Sequence, residues 1–238
     1  MAGVDGDEKL RQEFNEWAEA GKGEEMERHH ASIVEPTIAM MNLKPGERVL
    51  DLGCGAGWAT RLLARQVAGG EHGQAVGLDI SDEMIARARA ASKGVENAMY
   101  VWGSAQEIPW QEEYFDKVLS VESFYYYPDQ GKVLDELLRV LAPGGAAYIL
   151  INLYTDNPYS LRWVDELKVP VHARSEAEYM EMMREHGFEQ VEARRVPDES
   201  PTPETYSGRW FKNAEELRDF KRMGALLVIG RKVPGTKH

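Results

Sequence analysis

Apolar positions along the chain follow two periods. Near the N-terminal end, Phe14, Trp17 and Ala18 fall at i, i+3 and i+4, and Ile33, Val34, Thr37, Ile38 and Met41 repeat that spacing. Two helices are therefore expected within the first 45 residues, with Gly21 and Gly23 permitting a bend between them. From Pro45 onward, short apolar runs alternate with helical stripes. The run 48–52 ends in glycines and is followed by the stripe Trp58, Leu62, Leu63 and Val67. A second run, 75–79, precedes Ser81, placed to cap a helix carrying Met84, Ile85 and Ala88 with Glu83 in its first turn. Runs at 99–102 and 115–121 follow. Val133, Leu134, Leu137, Leu138 and Leu141 then stripe a helix that Pro143-Gly144-Gly145 is expected to end, and a fifth strand is expected at 146–151. Strands separated by helices of this length imply right-handed crossovers and a parallel sheet covered on both faces, an α/β architecture.

The rhythm changes after Asn152. Residues 153–174 read as a loop-rich insertion, followed by a helix at 175–186 and a strand at 188–196. Pro197, Pro201 and Pro203 exclude regular structure from the next stretch, and Asn213 is placed to cap a short helix to Lys221. The run 225–229 is apolar without alternation, as a strand buried on both faces should be. The expected organisation is a helical cap over 1–44 and one domain over 45–238, with cover insertions at about 153–174 and 197–222.

Chemistry concentrates at the strand ends. Val49-Leu-Asp-Leu-Gly-Cys-Gly-Ala-Gly57 is a strand running into three glycines at alternate positions and then a helix. Such glycines accept positive φ and let backbone approach a ligand closely. Dinucleotide enzymes space their glycines GxGxxG and face a pyrophosphate with the helix N-terminus. This chain has GxGxG with Asp51 two residues earlier, and a carboxylate there suits a cation better than a pyrophosphate. Asp79 ends the next strand, 26 residues after Gly53, where it can accept from both hydroxyls of a ribose. Asp79 marks a nucleoside without saying which one.

The stretch Gly103-Ser-Ala-Gln-Glu-Ile-Pro-Trp110 completes a set that resembles the class I S-adenosylmethionine-dependent methyltransferases. The resemblance spans about 45–151 and rests on five segments in that family's order. These are 49–57, Gly77-Leu-Asp-Ile-Ser81, 103–110, Phe115-Asp-Lys-Val-Leu-Ser and Leu141-Ala-Pro-Gly-Gly145. It implies a Rossmann-like, three-layer doubly wound, mostly parallel seven-stranded sheet with an antiparallel last strand, an N-terminal helical lid and insertions after strands five and six. It also implies S-adenosylmethionine as cofactor, held by Asp51, Gly53, Cys54, Gly55, Gly57, Asp79, Ile80, Ser104, Ala105, Gln106 and Val121. The family usually has Asp at the position of Ser104, where it accepts from the adenine amino group. Here adenine would lean on the backbone at Ala105 and on stacking at Ile80.

The same resemblance puts the methyl acceptor beyond the strand ends, under residues 14–30, 122–128, 153–174 and 197–210. Side chains leaving a strand alternate in direction, so Tyr125, Tyr126 and Tyr127 are not expected all to line one pocket. Trp163 and Trp210 lie in candidate lid segments, where each could equally fill core. Methyl transfer needs proximity and alignment above all, with a base only where the nucleophile must lose a proton. Glu122, His29 and Tyr126 are the candidate catalytic groups, with His30 and His172 also in lid-like segments.

Charge narrows the partners. A formal net charge of -12 over 238 residues argues against a nucleic-acid partner, so a small-molecule acceptor is expected, with a basic protein tail as the alternative. A nicotinamide oxidoreductase or a non-catalytic nucleoside-binding protein is the reading from another class. Cys54 is the only cysteine, which leaves no intrachain disulfide and no cysteine-based zinc site; no metal is expected. With no signal-like N-terminus and no apolar run near the ~20 residues that span a bilayer, a cytoplasmic protein without a membrane partner is expected. The oligomeric state stays open.

Overall fold

The two N-terminal stripes lie on α1 (Ala2–Glu19) and α2 (Lys22–Met41) of the computed structural model. The structure describes residues 2–235, the side chains of 2–5 and 24 excepted. The bend between the helices falls at Gly21 alone, whose φ of 74° is left-handed. Gly23, expected to share that bend, is instead inside α2 and packs close to the glycine loop; a Cβ there would meet Ala56 Cβ at 2.9 Å. Pro36 interrupts the hydrogen-bond ladder within α2, and the fully buried Thr37 satisfies its hydroxyl by donating to the Ile33 carbonyl at 2.7 Å.

The remaining elements alternate as the pattern implied: β1 (Arg48–Leu52), α3 (Trp58–Val67), β2 (Gln74–Asp79), α4 (Asp82–Ala91), β3 (Ala98–Trp102), β4 (Phe115–Val121), α5 (Gln130–Val140) and β5 (Leu141–Ile151). They are followed by α6 (Glu176–Glu185), β6 (Glu189–Val196), α7 (Ala214–Met223) and β7 (Ala225–Arg231). Side-chain caps fix four helix starts, Asp129 accepting from the Lys132 N–H at the start of α5. Ser81 accepts from the Met84 N–H, Asn213 from the Glu216 N–H, and Ser175 forms a capping box with Glu178.

One expectation needs correcting. The stripe through Leu141 is not all helix, because α5 ends at Val140 and Leu141 opens β5 by pairing with Phe115. Periodicity could not show the boundary, since both Val140 and Leu141 are fully buried. Pro143-Gly144-Gly145 falls inside the irregular first part of β5, where the register against β4 shifts.

The seven strands form one sheet in the order β3-β2-β1-β4-β5-β7-β6. All neighbours run parallel except β7, which is antiparallel to both β5 and β6. Alternate strand residues feed two cores. Leu50, Leu52, Leu226 and Val228 face α5 and α6, while Val49, Leu227 and Ile229 face α2 and α3. That two-sided burial explains the unalternated run in β7. The chain winds outward from β1 in both directions, through β2 on one side and β4 on the other. The carboxyl ends of β1 and β4 therefore border the crevice where open α/β sheets bind ligands.

The insertions fold against each other. The 3-10 helix Leu161–Glu166 brings Trp163 to within 5.8 Å of Trp210 and 5.3 Å of Phe220. Among the described residues, no helix is long and apolar enough to cross a membrane.

Candidate functional site

The strand ends and the two N-terminal helices border a cleft. Its floor is the glycine loop. Gly53 takes φ 74° and Gly57 takes φ 76°, values that a side chain would strain. A Cβ at Gly53 would also strike Ser123, and one at Gly57 would come within 2.5 Å of the Tyr100 ring. Gly57 is the N-cap of α3, behind the lining rather than in it.

Three buried carboxylates face this cleft, and the donors that hold them are neutral. Asp51, at the end of β1, accepts from the Thr60 hydroxyl at 2.6 Å. Burial pushes its carboxyl up to about 7, and nearby Asp79 adds to the shift while Thr60 opposes it. Asp79, ending β2, accepts from the Gly55 N–H and the Ser81 N–H, each at 2.8 Å. Burial raises its carboxyl, and these backbone donors hold the rise back. Glu122 follows β4 with φ 51°, an uncommon conformation for a residue with a side chain. It accepts from the Tyr125 hydroxyl at 3.0 Å and the Asn152 N–H at 2.6 Å, and burial pushes it up to about 7. Among the described residues, the lining contains no Lys or Arg.

The other expected residues are distributed as follows. Gly53, Cys54, Gly55, Ile80, Ser104, Ala105 and Val121 all line the cleft. The Cys54 thiol is buried and held well above its usual range by that burial and by both aspartates, so it is an inert wall group. Gln106 is buried just behind the lining. His29 is exposed and lies outside the lining, whereas its neighbour His30 lines the cleft, with burial and His29 lowering it to about 4. His172 is exposed; its N–H donates to the Tyr125 carbonyl at 2.7 Å, bracing the wall from behind.

The three tyrosines do not all line the cleft, as expected, but the reason is not strand alternation. Phe124–Tyr126 is a 3-10 turn rather than an extended exit from β4, so Tyr126 and Tyr127 both reach the cleft. Tyr125 points instead to Glu122. Phe14 and Trp17 of α1 stack edge-on against Tyr126 at 5.1 and 6.4 Å, making an aromatic wall. None of the lining comes from 153–174 or 197–222, and the half-buried Trp163 and Trp210 pack edge-on against each other between those two segments. The insertion at 153–174 meets α1 through Lys168, which pairs with Glu16 at 3.1 Å and Glu13 at 3.7 Å, and through Val169, buried in the same cluster as Leu10.

Several lining residues had no local signal in the sequence. Asp7, Leu10, Met26 and Met84 reach the cleft from helices, and Thr60 supports Asp51 from α3.

Comparison with known proteins agrees with this geometry. A family model described as a methyltransferase domain matches residues 43–189. The demethylmenaquinone methyltransferase of Bacillus cytotoxicus is 36% identical over 123 residues, covering 51% of each chain. The fatty-acid O-methyltransferase of Mycolicibacterium smegmatis is 36% identical over 137 residues, 57% of this chain and 46% of that one. The chain thus spans about half the length of these curated relatives. A solved complex between the Haloferax volcanii Trm112 methyltransferase activator and a methyltransferase contains a chain with a TM-score of 0.86 and 32% identity. The match covers 93% of this chain and 98% of that one. The chain belongs to the methyltransferase domain family, with the sheet and cofactor loop of its class I S-adenosylmethionine-dependent members.

Proposed function

We propose that this chain moves the methyl group of S-adenosylmethionine to a nucleophilic atom of a small, largely apolar molecule. The observation that carries this reading is a cleft at the strand ends lined by buried carboxylates and by no Lys or Arg among the described residues. Such a cleft repels a pyrophosphate and favours a ligand with an ammonium and a sulfonium. Asp51 takes the ammonium, directly or through water, and Asp79 takes the ribose hydroxyls. When bound, S-adenosylmethionine supplies a sulfonium-linked methyl group open to in-line displacement.

The protein's own contribution is placement and proton handling. Phe14, Trp17, Tyr126 and Tyr127 form an apolar wall that excludes water and offers ring faces to a cationic centre. Glu122, at about 7, is close to the working pH at which a general base is most effective. Tyr125 orients it, and Tyr126, whose hydroxyl burial keeps protonated, is a neutral donor toward the acceptor. Residues 1–44 act as the cap in this reading, and the insertions at 153–174 and 197–222 stiffen it from outside. Labelled cofactor offered with a panel of small phenols, carboxylates, thiols and amines tests the proposal. Transfer to a phenol should fall at least about 100-fold in kcat on Glu122→Gln. Transfer to none of the four classes would contradict the small-molecule assignment.

A protein partner fits the same reading. The Haloferax relative is held in a complex with an activator, and here the edge strand β3 exposes Met99 and Trp102 at 42% and 54%. An unpaired edge carrying apolar side chains is a template for strand addition, so an activator of the Trm112 type is the proposed occupant. Met99→Glu should abolish co-elution with such an activator, and unchanged co-elution would remove β3 as the surface.

A further inference from the structure

The cofactor loops lie in order across the sheet. Asp51 ends β1, Asp79 ends β2, and Ser104 follows β3, so a nucleoside whose ribose meets Asp79 carries its base over the end of β3. At that point the loop lines the cleft with Gly103, Ser104 and Ala105, and the one carboxylate of 103–110, Glu107, is exposed and outside the lining. Ser104 donates its hydroxyl proton elsewhere and already accepts from the Gln106 N–H at 3.1 Å. The carboxylate that occupies this rim belongs to α1. Asp7 Oδ2 accepts from the Ser104 hydroxyl at 2.6 Å, Oδ1 accepts from the Gln106 side-chain amide at 2.7 Å, and Asp7 lines the cleft.

We infer that Asp7, delivered by the cap helix and clamped by Ser104 and Gln106, is the group that reads the exocyclic amino group of the cofactor's adenine. This rests on the cofactor assignment proposed above and adds the residue that sets its base specificity. A carboxylate offers about four lone-pair sites, and the two clamping donors leave two for the ligand. A charged acceptor beside an amino group is worth more than a hydroxyl, and it disfavours a base that presents a carbonyl there. The rest of α1 is tied to the same loops. Arg11 donates to Asp82 at 2.9 Å, Asn15 donates to Asp82 at 3.0 Å, and the Ser81 hydroxyl donates to Asn15 at 2.6 Å. The helix that covers the cleft thus carries part of the recognition.

Binding of S-adenosylhomocysteine and of its deaminated counterpart, S-inosylhomocysteine, by calorimetry tests the inference. The wild-type protein should prefer the amino form by about 10-fold or more. Asp7→Asn should cut that preference to within about 3-fold while leaving affinity for the inosine form unchanged or higher, which also shows the fold to be intact. Adding Ser104→Asp to Asp7→Asn should restore the preference by returning a carboxylate to the rim. Asp79→Ala, as the ribose control, should weaken both ligands alike. Equal weakening of both ligands by Asp7→Asn, or no change in either, would overturn the role of Asp7 and leave the cofactor assignment standing. Failure of the wild-type protein to bind either ligand would overturn both.

Discussion

A carboxylate buried beside a second carboxylate, as Asp51 is beside Asp79, disfavours its own ionisation until a cation reaches it. Asp51 and Glu122 both stand at about 7, above the ordinary values of 3.8 and 4.5 that apply in the unfolded chain. With folded values raised, the stability these groups lend is fully present below about pH 4 and is lost as pH rises through 7. Asp51→Asn keeps an acceptor for the Thr60 hydroxyl and removes the buried charge. It should raise the melting temperature of the unliganded protein at pH 8 and weaken S-adenosylmethionine at least about 10-fold. A lower melting temperature at pH 8 would mean that Asp51 is not held under this strain. The same shifts give binding a pH dependence. A cationic ligand favours the ionised carboxylates, so affinity should climb from pH 6 to pH 8 with protons released on binding near pH 7. Calorimetry in buffers of different ionisation enthalpy reads that release, and proton uptake would contradict the assignment.

At the scale of elements, the β1–loop–α3 unit depends on glycines that no other residue replaces. Gly57→Ala puts a side chain at φ 76° and within 2.5 Å of the Tyr100 ring, whose hydroxyl donates to the Gly57 carbonyl at 3.2 Å. The left-handed conformation alone costs about 1–3 kcal/mol, and the clash adds to it. A fall of several degrees in melting temperature with weakened cofactor binding is expected; unchanged melting would place the loop's constraint elsewhere. Elements of this kind were legible in the sequence because strand, glycines, Asp51 and helix start are contiguous, and local pattern is what periodicity reads. What failed to show was whatever depends on a local departure or on distant convergence. The φ of 51° at Glu122 and the 3-10 turn after it changed which tyrosines face the cleft. The α5–β5 junction was hidden because Val140 and Leu141 are both buried. Asp7 meets Ser104 across 97 positions of sequence, and nothing local announces that meeting.

Across the whole molecule, one sheet supplies a fixed row of loops, and the two helices that precede β1 lie over them. Leu10 of α1 joins the core under α5, and Ile33, Val34 and Ile38 of α2 join the core over α3, so the cap is packed into the domain it covers. The acidic cleft is a property of that assembly, because β1, β2, the turn after β4 and α1 each bring one of its carboxylates to it. The most direct test of the account is calorimetric titration of the protein with S-adenosylhomocysteine and, in parallel, with NAD. The account predicts one S-adenosylhomocysteine site per chain and no measurable NAD binding, since a pyrophosphate at the glycine loop would face Asp51. Tight NAD binding with no heat from S-adenosylhomocysteine would contradict it.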